Sequence, residues 1–240
     1  MRTVRLRSAQ WDAGAMMESL RPGDLSVDSA RLSKLESFFW FDLCAEYDSQ
    51  VLHAKLVEIG ADWSQGFHEF ERLWYRDEMN HYRGFRELYR GLFGVSDRQI
   101  DDRLARRTQT FQGLEGFLET ELKALVLFSY DELATTLAYS RDRALYRELG
   151  SPRLLTFLRR LIRDESYHFQ NAADLVRLRY LGRPTEVLGA IADCVRHDLE
   201  GHPYQGVFLF DHDWEEVPSA FFEDVGRRLA RHWGLEGHVA

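Results

Sequence analysis

Apolar residues recur along most of this chain at three- and four-residue intervals, the period of an α-helix. No stretch alternates strictly between apolar and polar residues, as a half-buried strand requires. Of the five prolines (Pro22, Pro152, Pro184, Pro203 and Pro218), none lies between Pro22 and Pro152. Proline removes a backbone donor and breaks helix interiors, so these stretches predict long helices. Start and stop signals divide them. A first long helix is predicted from Asp28 or Ser29 to Gly60, and a second from Ser64 to Gly94. Ser96, with Gln99 three residues on, predicts a capping box and a short connecting helix. A third long helix is predicted from about Leu114 to Leu149. Gly150, Ser151 and Pro152 then supply a terminal glycine, an N-cap serine and a first-turn proline, opening a fourth that runs to about Leu181. A shorter helix to about Glu200, a loop over 201–217 and a last helix over about 218–234 complete the chain. Four long helices with smaller pieces predict a helical bundle.

Two of these helices carry the same six-residue pattern. Arg76-Asp77-Glu78-Met79-Asn80-His81 lies on the second and Arg163-Asp164-Glu165-Ser166-Tyr167-His168 on the fourth. Residues three apart share a helix face, so each Glu-x-x-His pair can present a carboxylate and an imidazole to one metal ion. Two such pairs on facing helices make a dinuclear site when the other two helices each add a Glu. Glu46 and Glu132 meet that need, 32 residues before Glu78 and 33 before Glu165. Glu46 and Glu78 each lie 14 residues from their turn, at Gly60 and Ser64. Both side chains are thus about 21 Å from the turn, at one level. Glu132 lies 18 residues before Gly150 and Glu165 14 after Ser151. That mismatch of one turn predicts a bend or loosening in the third helix. Asp77 and Asp164 are placed to support the His ligands, because a metal-bound His donates its second N–H to a carboxylate or carbonyl.

Composition narrows the class. The 240 residues are 45% hydrophobic and 29% charged, enough apolar material for a single domain with a sizeable core. We place the bundle at about 29–182 and a helical extension at about 183–240. A net charge of −8 argues against general nucleic-acid binding. Cys44 and Cys194 stand alone, which excludes zinc motifs built on paired cysteines and points weakly to a reducing compartment. No apolar run approaches the roughly 20 residues of a membrane span, and no hydrophobic core follows the basic N-terminus. The expectation is a soluble, cytoplasmic protein that binds neither membrane nor nucleic acid.

Over about residues 35–185 the chain resembles the ferritin-like di-iron carboxylate superfamily, and within it the soluble acyl-carrier-protein desaturases. The resemblance is carried by Trp74 to Gly84, by Ser129 to Thr135 with its Glu-x-x-Thr, and by Asp164 to His168. It implies an all-α, ferritin-like four-helix bundle. Glu46 and His81 would be terminal ligands of one iron, Glu132 and His168 of the other, and Glu78 and Glu165 would bridge. It also implies that Thr135 sits over the oxygen side, that Asp77 and Asp164 support the histidines, and that Trp74 packs near the site or carries electrons. The implied activity is O2-dependent oxidation of an aliphatic substrate, free or on an acyl carrier protein. Electrons would come from a ferredoxin-like donor and the protein would be a homodimer. The alternatives are a hydroxylase or N-oxygenase of a small molecule, or a ferroxidase or iron-storage protein. Related arylamine N-oxygenases carry a further His where this chain has Leu161, and ribonucleotide reductase small subunits a radical-forming Tyr where it has Phe85. Both differences favour the desaturase-like reading.

Other residues stand between function and packing. Ser129, Thr136, Tyr139 and His53 fall near the ligand faces, as pocket residues or as satisfied buried polar groups. The run Phe38, Phe39, Trp40, Phe41 reads as core or as the wall of an apolar channel. His197, His202 and His212, with Asp211 and Asp213, match no metal spacing and read as a solvated loop. Arginine outnumbers lysine 28 to 3. Arg153, Arg159, Arg160 and Arg163, with Arg103, Arg106 and Arg107, form either a dock for an acidic carrier or ordinary solvated faces.

Overall fold

The computed structural model describes residues 4–211 and 217–236, and every regular element among them is a helix. In chain order these are α1 (Ala13–Met17), α2 (Ser29–Ser33), α3 (Glu36–Ile59), α4 (Gln65–Phe93), α5 (Asp97–Leu104), α6 (Glu121–Glu148), α7 (Pro152–Arg179), α8 (Pro184–Glu200) and α9 (Ser219–His232). Short 3-10 turns stand at Pro22–Asp24 and Glu115–Leu118.

The four long helices form two antiparallel hairpins, α3 with α4 and α6 with α7. Ser64 caps α4, its hydroxyl accepting from the Phe67 N–H at 3.2 Å. Its own N–H and hydroxyl donate to Glu121 at 2.6 and 2.8 Å, which clasps the first hairpin turn to the start of α6. Arg179 at the end of α7 reaches the same carboxylate at 2.9 Å. The second turn depends on Gly150, whose φ of 73° is left-handed and whose added Cβ would lie 2.0 Å from Ser26 Oγ. Ser96 and Gln99 form the expected capping box on α5.

Two helix starts differ from expectation. Asp28 caps only the short α2, accepting from Arg31 N–H at 2.8 Å; the chain then turns at Lys34 and Leu35 before α3 begins at Glu36. Leu32 and Leu35, on either side of that turn, are both buried. The third long helix begins at Glu121, not Leu114: Glu115–Leu118 form a 3-10 turn, and Thr120, in an extended conformation, supplies the cap, accepting from Lys123 N–H at 3.3 Å. α6 then runs unbroken to Glu148.

The apolar core is split. One cluster gathers Leu52, Phe67, Trp74, Phe128 and Val176 with the faces of α8 and α9. The other gathers Phe39, Leu43, Phe85, Tyr146 and Phe157 with Met17 and Leu20. Each long helix passes from one cluster to the other, and its ligand residues lie at the crossing. The N-terminal segment, for which the pattern predicts no element, lies across α4 and α7. Buried Asn171 holds it by accepting from the Arg7 N–H at 2.8 Å and donating to the Arg7 carbonyl at 2.9 Å. Buried Asn80 accepts from the Ala13 N–H at 3.1 Å.

Candidate metal centre

All six predicted ligands converge and all are buried: Glu46 from α3, Glu78 and His81 from α4, Glu132 from α6, Glu165 and His168 from α7. They make two overlapping groups whose ligand atoms lie within 4.8 Å of one another. Glu46, Glu78, His81 and Glu165 form the first position; Glu78, Glu132, Glu165 and His168 form the second. Glu78 and Glu165 belong to both.

The mismatch in the second hairpin resolves through the motif's own spacing. Glu132 lies 18 residues before Gly150, and His168 lies 18 after it. In an unbent hairpin Glu132 is therefore level with His168, and its Oε2 stands 3.4 Å from His168 Nδ1. The counterpart on the other side is His81 Nδ1, 3.4 Å from Glu46 Oε2.

The arrangement fits metal ions. Glu46 Oε2, Glu78 Oε1, Glu132 Oε2, Glu165 Oε1 and His81 Nδ1 are buried without a hydrogen-bond partner. Buried polar atoms are normally paired, and four carboxylates cannot all be ionised out of water without cations. In their absence the cluster must hold protons. Burial, and then the charges of Glu165 and Glu46, push Glu78 up to about 8. Burial alone would lower His81, but Glu165 and Glu46 raise it well above its ordinary value. His168 is likewise disfavoured by burial and then raised, by Glu132 foremost. Glu165 is the exception: burial opposes ionisation, but His81 and His168 hold it below the carboxylate range. A mixed set of carboxylates and imidazoles suits a pair of divalent ions, and the donors alone do not choose among iron, manganese and their neighbours.

The supporting residues are crossed. Asp164 of α7 meets His81 of α4, with Oδ2 3.4 Å from Nε2 in a hydrogen bond. Asp77 of α4 faces His168 of α7, but at 3.6 Å, beyond hydrogen-bond distance. Each Asp is gripped by the arginine before it in the motif, Arg76 on Asp77 at 2.7 Å and Arg163 on Asp164 at 2.9 Å. The outer ligands receive aromatic donors. Trp74 donates to Glu132 Oε1 at 2.7 Å, and Tyr139 to Glu46 Oε1 at 2.7 Å. Thr135 borders a cavity of about 40 Å³ against Glu46, Glu78 and Glu165, together with Tyr139 and Phe208.

The remaining candidates separate. Ser129 donates to the Leu125 carbonyl at 2.7 Å within its own helix. His53 pairs with Glu71 and stacks on Tyr75 at 3.8 Å, outside the ligand groups. Thr136 is half-buried, and its buried hydroxyl has no hydrogen-bond partner. Phe39 is core, whereas Phe38 and Phe41 line a chamber of about 340 Å³ and Trp40 lies beneath the Arg103 guanidinium at 3.8 Å. His197 and His202 stack on each other at 3.9 Å, and belong to neither metal-holding group among the described residues; His212 and Asp213 lie outside them. Asp211 accepts from the N–H groups of Gln205, Val207 and Phe208 at 2.7 to 3.0 Å. These bonds hold Phe208 in a left-handed conformation, φ 75°, with its ring against Trp74. Several arginines have internal roles: Arg107 pairs with buried Asp48, Arg103 with Glu36 at 2.5 Å, and Arg160 lies 5.2 Å over Trp11.

Sequence reasoning missed Trp11 and Phe208. Neither lies in a helical motif, and no spacing points to them. Leu161 is plain core. Phe85 is also core, but it lies beside Tyr139, which brings a phenol to the centre from α6. No described helix is long and apolar enough to cross a membrane. Compared with known protein families and with curated proteins, the chain matches none.

Proposed function

We propose that this chain is a ferritin-like di-iron protein and an O2-dependent oxidase of the desaturase type. It acts on an aliphatic substrate, free or carrier-bound, with electrons from a ferredoxin-like donor. The observation that carries the reading is a row of neighbouring cavities that ends at the buried ligands. The cavity of about 40 Å³ at Glu46, Glu78 and Glu165 shares Ala45, Thr135, Tyr139 and Asp211 with the chamber of about 340 Å³. Phe38, Phe41, Phe221, Ala134 and Ala138 give that chamber apolar walls. It shares Phe38, Phe41, Arg141 and Asp142 with a cleft of about 730 Å³ bordered by Arg31, Lys34 and Arg107. An apolar chain can lie inside while an acidic head or carrier stays at the mouth beside Lys34, since Arg31 and Arg107 are paired with Glu148 and Asp48.

Irons held by Glu46, Glu78, His81, Glu132, Glu165 and His168 supply O2 reduction and the power to oxidise an unactivated C–H bond. This chain's residues prepare the place. Phe38, Phe41 and Phe221 exclude water from the bound chain, which strengthens every electrostatic interaction inside and limits side reactions. The Tyr139 phenol stays protonated, since burial and then the Glu46 charge raise it well above its ordinary value, so it holds a proton at Glu46 Oε1. Thr135 offers a hydroxyl at the same cavity.

The test is iron content after anaerobic Fe(II) loading, followed by O2 uptake with acyl-chain substrates. We expect two irons per chain, loss of iron in Glu78→Ala, and an oxidised product. Iron retained in Glu78→Ala would overturn the assignment. One observation favours a second reading, a ferroxidase: Asp42 and Asp142 also line the chamber, where carboxylates suit a passing cation. Ferric mineral in a large assembly, without substrate oxidation, would select it.

A further inference from the structure

The ligand set of the metal centre is close to two-fold symmetric, but the support of its two histidines is not. Each position pairs an outer Glu with a His, shares Glu78 and Glu165, and is backed by an arginine-gripped Asp. On the first side the Trp11 indole also donates to Asp164, at 2.5 Å, onto the same Oδ2 that meets His81. Arg163 occupies Oδ1 of that carboxylate at 2.9 Å, so both oxygens are engaged and the group cannot rotate. Asp77 on the second side is held by Arg76 alone among the described residues, and the Nε2 of His168 has no hydrogen-bond partner. The Asp77 side chain is also the more exposed, 10% against 2% for Asp164.

Trp11 is itself fixed. Its ring stands 5.8 Å from Phe157 and 6.1 Å from His81, with the Arg160 guanidinium 5.2 Å above. The segment that carries it is tied on both sides, at Arg7 by Asn171 and at Ala13 by Asn80. A His ligand whose second nitrogen bonds an immobile carboxylate has its tautomer and ring orientation set before metal arrives. Losing such support typically costs 10–100-fold in metal affinity.

We propose that the two metal positions are inequivalent, and that Trp11 is the positioning residue that makes the Glu46–His81 position the tighter and first-filled. The inference rests on the cluster holding two metals and is independent of its oxidase chemistry. The test is a Co(II) titration of the full-length apo-protein without O2, read by absorbance and calorimetry. Two steps are expected, the tighter absent from Glu46→Gln and the weaker absent from Glu132→Gln. Trp11→Phe keeps an aromatic ring and removes the N–H; it should weaken the tighter step by about 10–100-fold and leave the weaker step unchanged. Trp11→Gln, which restores an N–H donor, should recover part of that loss if the hydrogen bond is responsible. Equal affinities in the wild type, or equal losses at both steps in Trp11→Phe, would overturn the proposal. A protein that binds two Co(II) ions in sequence but consumes no O2 with iron would sink the oxidase reading and leave this one standing.

Discussion

In the repeated Arg-Asp-Glu-x-x-His pattern each named residue has a separate task. Glu and His face inward one turn apart, Asp turns to the partner helix, and Arg grips that Asp. The inward pair is legible from helical period alone. The crossing of Asp164 to His81 is not, because it depends on how α4 and α7 lie against each other. Tyr139 illustrates the same limit. Seven residues beyond Glu132 it shares that ligand's face, yet its hydroxyl meets Glu46 of another helix. Tyr139→Phe would leave a buried carboxylate oxygen without its donor. It should lower apo-protein stability by about 1–3 kcal/mol in urea unfolding, with iron content retained.

At the scale of elements, helix existence followed from period and caps, while helix boundaries followed packing. α3 begins only after the turn at Lys34 and Leu35, and α6 only after the 3-10 turn and the extended Thr120 cap. Close approach explains a further choice. A Cβ on Gly84 of α4 would stand 2.5 Å from the Phe157 ring and 2.7 Å from Ala13, where the N-terminal segment and α7 meet. Gly84→Ala should therefore cost about 1–3 kcal/mol through overpacking. Gly189 of α8 is also helical, but an added Cβ there meets nothing within 4 Å. Gly189→Ala should stabilise by up to about 1 kcal/mol, the difference in helix propensity. Thermal unfolding of the two variants side by side checks both signs.

The whole molecule balances two apolar clusters against the charged layer between them. That layer makes stability depend on metal and on pH in opposite directions. Burial raises Glu78 from 4.5 to about 8 in the folded apo-protein, so the folded form binds more protons than the unfolded one between those values. His81 and His168, raised well above 6.5, extend the same trend upward. The stability they confer is full at low pH and is lost as pH rises through their folded values. Apo-protein Tm should thus fall as pH rises from about 5 to 8, a window that lies above the titration of the depressed Glu165. Metal must displace those protons, so its affinity and the Tm gain on loading should grow over the same interval. A Tm gain that shrinks with rising pH would contradict this account.

The amino-acid sequence by itself determined that this protein is helical, that it carries four long helices, and which six side chains converge. Period, caps and motif spacing act within one helix or across one short turn, and those distances can be counted along the chain. The tertiary structure alone decided that each Asp faces the opposite helix and that Trp11 and Phe208 border the centre. These depend on packing between residues far apart in the chain, such as Trp11 and Asp164, where no local pattern records the contact.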